Sequence, residues 1–260
     1  MVFTAALAAI KLSSEISGDH DSLNIQTNTN VTSTTRKPTE EELEHAGGFE
    51  GSADHLVAVH TNRGTVLARK VLHATNAWSS SLIPQLHGVL TPVRNQVIIT
   101  KPVPLMWNFG LGANYGYEYF MQRPDGRIIL GGMRDLSPTK GENSVDQEYL
   151  DTNISEALAT YLPRHFPTDL SGVEVEKEWV GVLAFTPDRN PLVGSLAGEA
   201  FANQYIASGY SGHGMPLAFL VGKHISQCMM ASLCDGGVEV QTISSNGCIP
   251  IAFSPARYGI

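Results

Sequence analysis

The stretch Tyr205-Ile206-Ala207-Ser208-Gly209-Tyr210-Ser211-Gly212-His213-Gly214-Met215, followed by apolar sequence as far as Met230, decides the reading of this chain. A short apolar run from Gln204 to Ser208 bounded by glycine is a buried strand, and the apolar run after Met215 is long enough for a helix. A strand that passes through Gly-x-Ser-Gly-x-Gly straight into a helix points several backbone N–H groups at one spot. The helix dipole adds about half a positive charge there. Something anionic or electron-rich belongs at that spot, and Gly209, Gly212 and Gly214 let a flat ligand approach the main chain without Cβ clashes. The competing reading is a tight turn that needs glycine only for its shape. His213, inside that turn, reads as a capping or packing residue rather than a general base.

Working back from the turn, Pro187-Asp188 marks another turn and Val173 to Leu183 a strand. Residues 146–166 carry Tyr149, Ile154, Leu158 and Tyr161 at three- and four-residue steps, which predicts one amphipathic helix closed by Pro167. Tyr119 to Leu130 is two strand-like runs around Pro124-Asp125-Gly126, a tight hairpin because proline presets φ and glycine takes the positive-φ position. Thr91 to Thr100 is a strand ended by Pro102 and Pro104. His55 to His60 and Thr65 to His73 form a second hairpin around Asn62-Arg63-Gly64, and its second run leads into Ala74-Thr75-Asn76-Ala77-Trp78. Residues 36–54 are polar, with the acidic cluster Glu40 to Glu42, and read as an exposed insertion. Leu23 to Thr27 alternates like a strand continuing toward Val31. Phe3, Leu7 and Ile10 lie on one stripe of an opening helix.

The 260 residues are 42% hydrophobic, enough for a sizeable core, and carry a net charge of −8 without any Lys/Arg cluster. That balance speaks against nucleic acid as a partner. No run approaches the eighteen or so apolar residues that span a bilayer, so a membrane partner is not expected. Cys228, Cys234 and Cys248 are an odd set without metal-ligand spacing, and the histidines show none either, so no metal site is expected. Three unpaired thiols fit a reducing compartment, cytoplasmic in the first instance, with peroxisome and mitochondrion also open. No Gly-x-Gly-x-x-Gly lies between a strand and a helix, and no phosphate-binding P-loop is present.

Five segments in order, HATNAWSSSL (73–82), TPVRNQVIIT (91–100), YEYFMQRPDGRIILGG (117–132), EWVGVLAFTPDRNPLVG (178–194) and YIASGYSGHGM (205–215), resemble the later half of the D-amino-acid oxidase-like FAD-dependent oxidoreductases. This family includes glycine, sarcosine and other amine oxidases and dehydrogenases, and the similarity runs from about residue 1 to residue 233. The resemblance implies a mixed α/β (α+β) fold: a partial Rossmann-like FAD-binding lobe over 1–88, an antiparallel substrate sheet with a flanking helix over 89–185, a return to the FAD lobe over 186–235, and a tail over 236–260. In the family the glycine-rich fingerprint lies on a first βαβ unit upstream of where the resemblance starts. The expectation is therefore a carboxy-terminal portion of such an enzyme.

Residue by residue, Val31 resembles the position whose main chain meets the adenine. Ala74, Thr75 and Trp78 resemble a turn that passes the adenosine and pyrophosphate. Asn76 stands where the family carries glycine, which puts a side chain where the backbone is expected to approach the cofactor. Gly209 and Ser211, Gly212, His213, Gly214 and Met215 resemble the helix start that offers N–H groups to the pyrimidine edge of a flavin, an oxyanion-hole-like role. Gln96, Tyr119, Arg134 and Trp179 become candidates to face substrate, against the alternative that the aromatics pack in a core and Arg134 ends a solvated strand. The implied reaction is oxidation of the C–N bond of a small amine or amino acid by hydride transfer to non-covalent FAD, with hydrolysis of the resulting imine. Two alternatives are a non-catalytic remnant or partner subunit, and a hydroxy-acid dehydrogenase of the same fold. An acidic chain without a basic pocket speaks against a phosphorylated substrate.

Overall fold

The structure is a computed structural model that describes residues 24–45, 53–234 and 250–260. Its strands are β1 (Val31–Arg36), β2 (Val57–Thr61), β3 (Gly64–Ala68), β4 (Val71–His73), β5 (Thr91–Thr100), β6 (Gly110–Ala113), β7 (Glu118–Gln122), β8 (Ile128–Gly132), β9 (Val175–Phe185), β10 (Leu192–Ser195) and β11 (Gln204–Ser208). The α-helices are α1 (Glu40–His45), α2 (Ser79–Leu82), α3 (Thr152–His165) and α4 (Gly214–Cys234). They form a mixed α/β architecture with three sheets, ordered β1-β2-β3, β10-β11-β4 and β6-β7-β8-β5-β9.

The five-stranded sheet is antiparallel throughout, with β5 paired to β9 from Thr91↔Phe185 to Thr100↔Val175 and to β8 from Gln96↔Gly132 to Ile99↔Ile129. Because side chains alternate along a strand, Gln96 and Ile98 lie on one face with Phe120, and Asn95 and Val97 on the other with Tyr119 and Trp179. On the first face α3 packs Ile154, Leu158 and Leu162 against Ile98, Phe120, Ile128 and Leu130. Each fully buried aliphatic side chain there contributes about 1.5–3 kcal/mol. The second face is open, with Tyr119 40% and Met121 50% exposed.

The small sheet is buried on both sides, which is why Gln204 to Ser208 reads as an unbroken buried run. Leu192 and Ile206 join one core with Ile83, Leu86 and Ala184, while Val193, Tyr205 and Ala207 pack against Val221, Ile225 and Cys228 of α4. Within it β11 pairs antiparallel with β10 and parallel with β4.

The two hairpins, the strand Thr91–Thr100 and the strand-turn-helix unit at 204–234 fall where the sequence places them. Other expectations change. Residues 24–30 form no strand. Asn28 turns at a φ of 53°, and the Arg63 guanidinium gathers Gln26, Thr27 and Thr29 into a local knot, so pairing starts only at Val31. The insertion contains α1, opened by a reciprocal cap: the Thr39 N–H donates to Glu42 Oε2 at 2.8 Å and the Glu42 N–H to Thr39 Oγ1 at 3.3 Å. The run from Thr65 to His73 is two strands, because the chain leaves β2 at Ala68 and joins β11 from Val71. The long helix starts at Thr152, not 146, because the Asp151 carboxylate accepts the Asn153 N–H and caps it there. Tyr149 therefore precedes the helix, where its carbonyl accepts a hydrogen bond from Arg94. β6 and β10 carry too little hydrophobic alternation to be read from sequence. The opening helix lies outside the described residues. Among the described residues no helix is long and apolar enough to cross a membrane.

Candidate active site

The carboxyl ends of the parallel neighbours β4 and β11 lead into the two loops that the sequence singles out, 74–78 and 209–215. In an open α/β sheet such ends form a ligand crevice. A chain of hydroxyls ties the loops together: Thr75 Oγ1 lies 3.0 Å from Ser79 Oγ, which lies 2.6 Å from Ser208 Oγ. Asn76 takes a φ of 46°, and its Oδ1 accepts the Gly209 N–H at 3.1 Å. The side chain that stands in for a family glycine thus keeps the glycine-like backbone and turns toward the neighbouring loop. Asparagine is among the few residues that adopt this conformation readily. Ala74, Thr75 and Trp78 remain exposed.

In the glycine turn, Gly209 has a φ of 74°, and a Cβ there would lie 2.8 Å from both Leu90 Cδ2 and Thr186 Cγ2. Gly209 is a packing glycine. Gly212 has a φ of 85° with nothing within 4 Å of its Cβ position, so its α-carbon borders open space. Ser211 departs from expectation: it is buried, and its N–H donates to the Ala184 carbonyl at 2.8 Å, leaving none for a ligand. Its hydroxyl lies 3.3 Å from the Thr186 nitrogen, so Ser211 locks the turn onto the end of β9. The His213 N–H donates to Tyr210 O at 2.8 Å and its Nδ1 lies 3.0 Å from Ser211 O, which fits a capping role. Gly212, Gly214 and Met215 donate to no backbone carbonyl outside the helix among the described residues. These N–H groups open the 21-residue α4 at its positive end.

Through Ser211 and Thr186 the turn abuts the open face of the five-stranded sheet. There Tyr119 lies across Gly131, whose Cβ position would be 2.5 Å from the phenol oxygen, and that hydroxyl accepts from Asn95 Nδ2 at 2.9 Å. Burial pushes the Tyr119 phenol above its usual pKa, against the Asn95 hydrogen bond and the nearby Arg134 charge, so it stays protonated at neutral pH. Gly181, paired with Asn95, has nothing within 4 Å of its Cβ position, and Trp179 stands half-buried two residues away. Arg134 closes one end of this trough, its guanidinium 5.4 Å from the Tyr117 ring centre and 5.3 Å from that of Phe185.

Tyr119, Trp179 and Arg134 therefore share one face, and Gln96 does not. Its carboxamide is 3% exposed and clasps α3, with Oε1 accepting the Asp151 N–H at 2.9 Å and Nε2 donating to Glu178 Oε1 at 3.0 Å. Gln96 is a structural residue, and its neighbour Asn95 is the polar group on the open side. Only the sheet register reveals that parity. Val31 opens β1 on the separate three-stranded sheet, which reaches the small sheet through Thr34, whose hydroxyl donates to Gln204 Oε1 at 3.0 Å.

The family model described as FAD dependent oxidoreductase matches residues 25–228. The chain belongs to this FAD-dependent oxidoreductase family. Among curated relatives it is similar to the gamma-glutamylputrescine oxidoreductase of Escherichia coli K12, 28% identical over 66% of this chain and 39% of that protein. It is also similar to the glycine oxidase of Pseudomonas aeruginosa, 26% identical over 66% of this chain and 44% of that protein. Two solved structures share the fold. The L-proline dehydrogenase from P. horikoshii gives a TM-score of 0.61 at 24% identity, covering 88% of this chain and 54% of that one. The glycine oxidase from Geobacillus kaustophilus gives 0.62 at 16%, covering 87% and 51%. This FAD-dependent oxidoreductase chain thus spans about half the length of the relatives it matches. Its open crevice, bare Gly212 and unengaged N–H groups fit a flat, electron-rich cofactor edge.

Proposed function

We propose that this chain supplies the flavin-edge turn and the substrate sheet of an enzyme that oxidises the C–N bond of an amine or amino acid. The observation that carries the reading is the junction at Ser211. It fixes a helix start with open N–H groups directly against a sheet face bearing Tyr119, Asn95, Gly181 and Trp179. Bound FAD would supply the hydride-accepting chemistry that no side chain here provides. Ala74, Thr75 and Trp78 would line its adenosine and pyrophosphate side and Gly212, Gly214 and Met215 its pyrimidine edge, where N–H groups stabilise negative charge. Val31 is assigned to the adenine end. The sheet's task is to orient the amine-bearing carbon and exclude water, with Tyr119 and Asn95 as a fixed polar pair. Cys228, on α4, is buried in the core, and the cofactor is assigned as non-covalent.

The test is the visible absorbance of the purified protein with and without added FAD, after desalting. Oxidised-flavin bands that persist, and that are released by denaturation, support the assignment; a colourless, FAD-indifferent protein overturns it for this chain. Gly212→Phe is expected to abolish flavin retention where Gly212→Ala, which carries the same backbone strain without the bulk, keeps most of it. Panels of amines and hydroxy acids then decide the reaction, and turnover of hydroxy acids alone would sink the C–N reading.

A further inference from the structure

Glu118 is the sole carboxylate among the buried side chains of the described residues, at 8% exposure. A charge taken out of water is costly unless a partner matches it. Among the described residues no cation pairs with Glu118: its Oε1 accepts from Asn114 Nδ2 at 3.2 Å, and its Oε2 has no hydrogen bond. Asn114 has no further donor to offer, because the same amide nitrogen lies 3.1 Å from Asp135 Oδ2 and carries two hydrogens. Glu118 lines a cavity of about 150 Å³ between α3 and the turn that follows β8. At about 30 Å³ per water, that is room for a group of about five heavy atoms. Glu118 shares the parity of Phe120 along β7, so the cavity lies on the α3 side and the sheet separates it from the trough beside Tyr119.

The lining has two characters. Met133, Leu136 and Ala157 form an apolar wall, and Tyr161, stacked on His165 with ring centres 4.1 Å apart, forms an aromatic one. Burial, together with the Glu118 charge, pushes the Tyr161 phenol above its usual pKa, so its hydroxyl stays protonated beside the carboxylate. Two acids, Glu118 and Asp135, face a single arginine, the exposed Arg164. Among the described residues no three His, Cys, Asp or Glu side chains converge as metal ligands. A buried carboxylate beside an aromatic ring and apolar side chains matches an organic cation.

We propose that this cavity is a binding site for a short primary alkylammonium ion, with the ammonium against Glu118 and Tyr161 and the carbon chain against Met133, Leu136 and Ala157. The site is distinct from the trough on the other side of the sheet, and it stands independently of the functional reading above.

The test needs no turnover. n-Propylammonium chloride and its uncharged isostere 1-propanol are titrated into the purified protein at constant ionic strength, and the backbone amide shifts are followed by NMR. Propylammonium is expected to bind at least tenfold more tightly than propanol and to move the signals of Glu118, Met133 and Ala157. Glu118→Gln is expected to remove that preference. Ala157→Leu, which fills the cavity and keeps the charge, is expected to weaken propylammonium binding tenfold or more. Equal binding of the two probes, an unchanged preference in Glu118→Gln, or the same shifts with potassium chloride overturns the proposal. So does a propylammonium titration that moves only Tyr119 and Gly181, since the amine would then sit in the trough. Should Glu118→Gln fail to fold, judged by its thermal melt, Ala157→Leu and the position of the shifts in the unaltered protein decide.

Discussion

Two residues of the crevice show how much a single side chain decides. Asn76 is held at a left-handed φ of 46° and its amide oxygen caps Gly209. Asn76→Ala is expected to cost about 1–3 kcal/mol, the sum of backbone strain and a lost hydrogen bond, and Asn76→Gly distinctly less because the backbone is relieved. Urea unfolding midpoints of the two variants check this ordering. Gly209 combines a φ of 74° with side chains 2.8 Å from its Cβ position. Gly209→Ala is therefore expected to destabilise by about 2–3 kcal/mol, measured the same way, where neither the conformation nor the neighbours accommodate a methyl. The need for glycine at 209 was legible in the sequence. The compensation at Asn76 was not, because it depends on a partner 133 positions away.

Among the elements, α3 is fixed to the sheet by one buried carboxamide. Gln96 bonds both backbone groups of Asp151 together with Ser155 and Glu178, so Gln96→Leu leaves several polar groups unmet. A loss of about 2–4 kcal/mol is expected with KM for substrate unchanged; a raised KM without loss of stability would return Gln96 to the substrate face. The tail after Pro250 is anchored by Arg257, whose guanidinium lies 2.7 Å from Asp188 in the turn after β9. That hydrogen bond holds the Asp188 carboxyl well below the usual carboxylate range. A folded-state pKa below the unfolded one gives stability that is complete above about pH 4 and disappears as the pH falls. Asp188→Asn should therefore flatten the acid limb of the stability curve below pH 4, by less than about 1 kcal/mol because the pair is solvent-screened. Strand Thr91–Thr100 and the Pro-Asp-Gly hairpin were readable because their signals are local. The break of 65–73 into two strands was not, since it arises where the chain exchanges one sheet partner for another.

Across the whole molecule, His73 joins β4, β11 and β1. It is buried, its Nε2 donates to Gln204 Oε1 at 2.8 Å, and the same oxygen accepts from Thr34. Burial lowers its pKa below the ordinary value. The unfolded chain thus binds a proton that the folded one refuses, so this contribution to stability is present above about pH 6.5 and is lost as the pH falls through that value. Between pH 7.5 and 5.5 the melting temperature is expected to drop, and His73→Asn, which keeps a donor without a titrating group, should drop less. An equal drop would remove His73 as the cause. The sequence by itself determined the strand-glycine turn-helix unit, the paired hairpins and the family, because these rest on local backbone preferences and on ordered motifs along one chain. Tertiary structure decided which side of β5 meets the crevice, why Ser211 serves as a lock, and that Arg134 sits against the rings of Tyr117 and Phe185. Those features depend on sheet register and on contacts between residues distant in sequence, which a period of two along a strand cannot orient on its own.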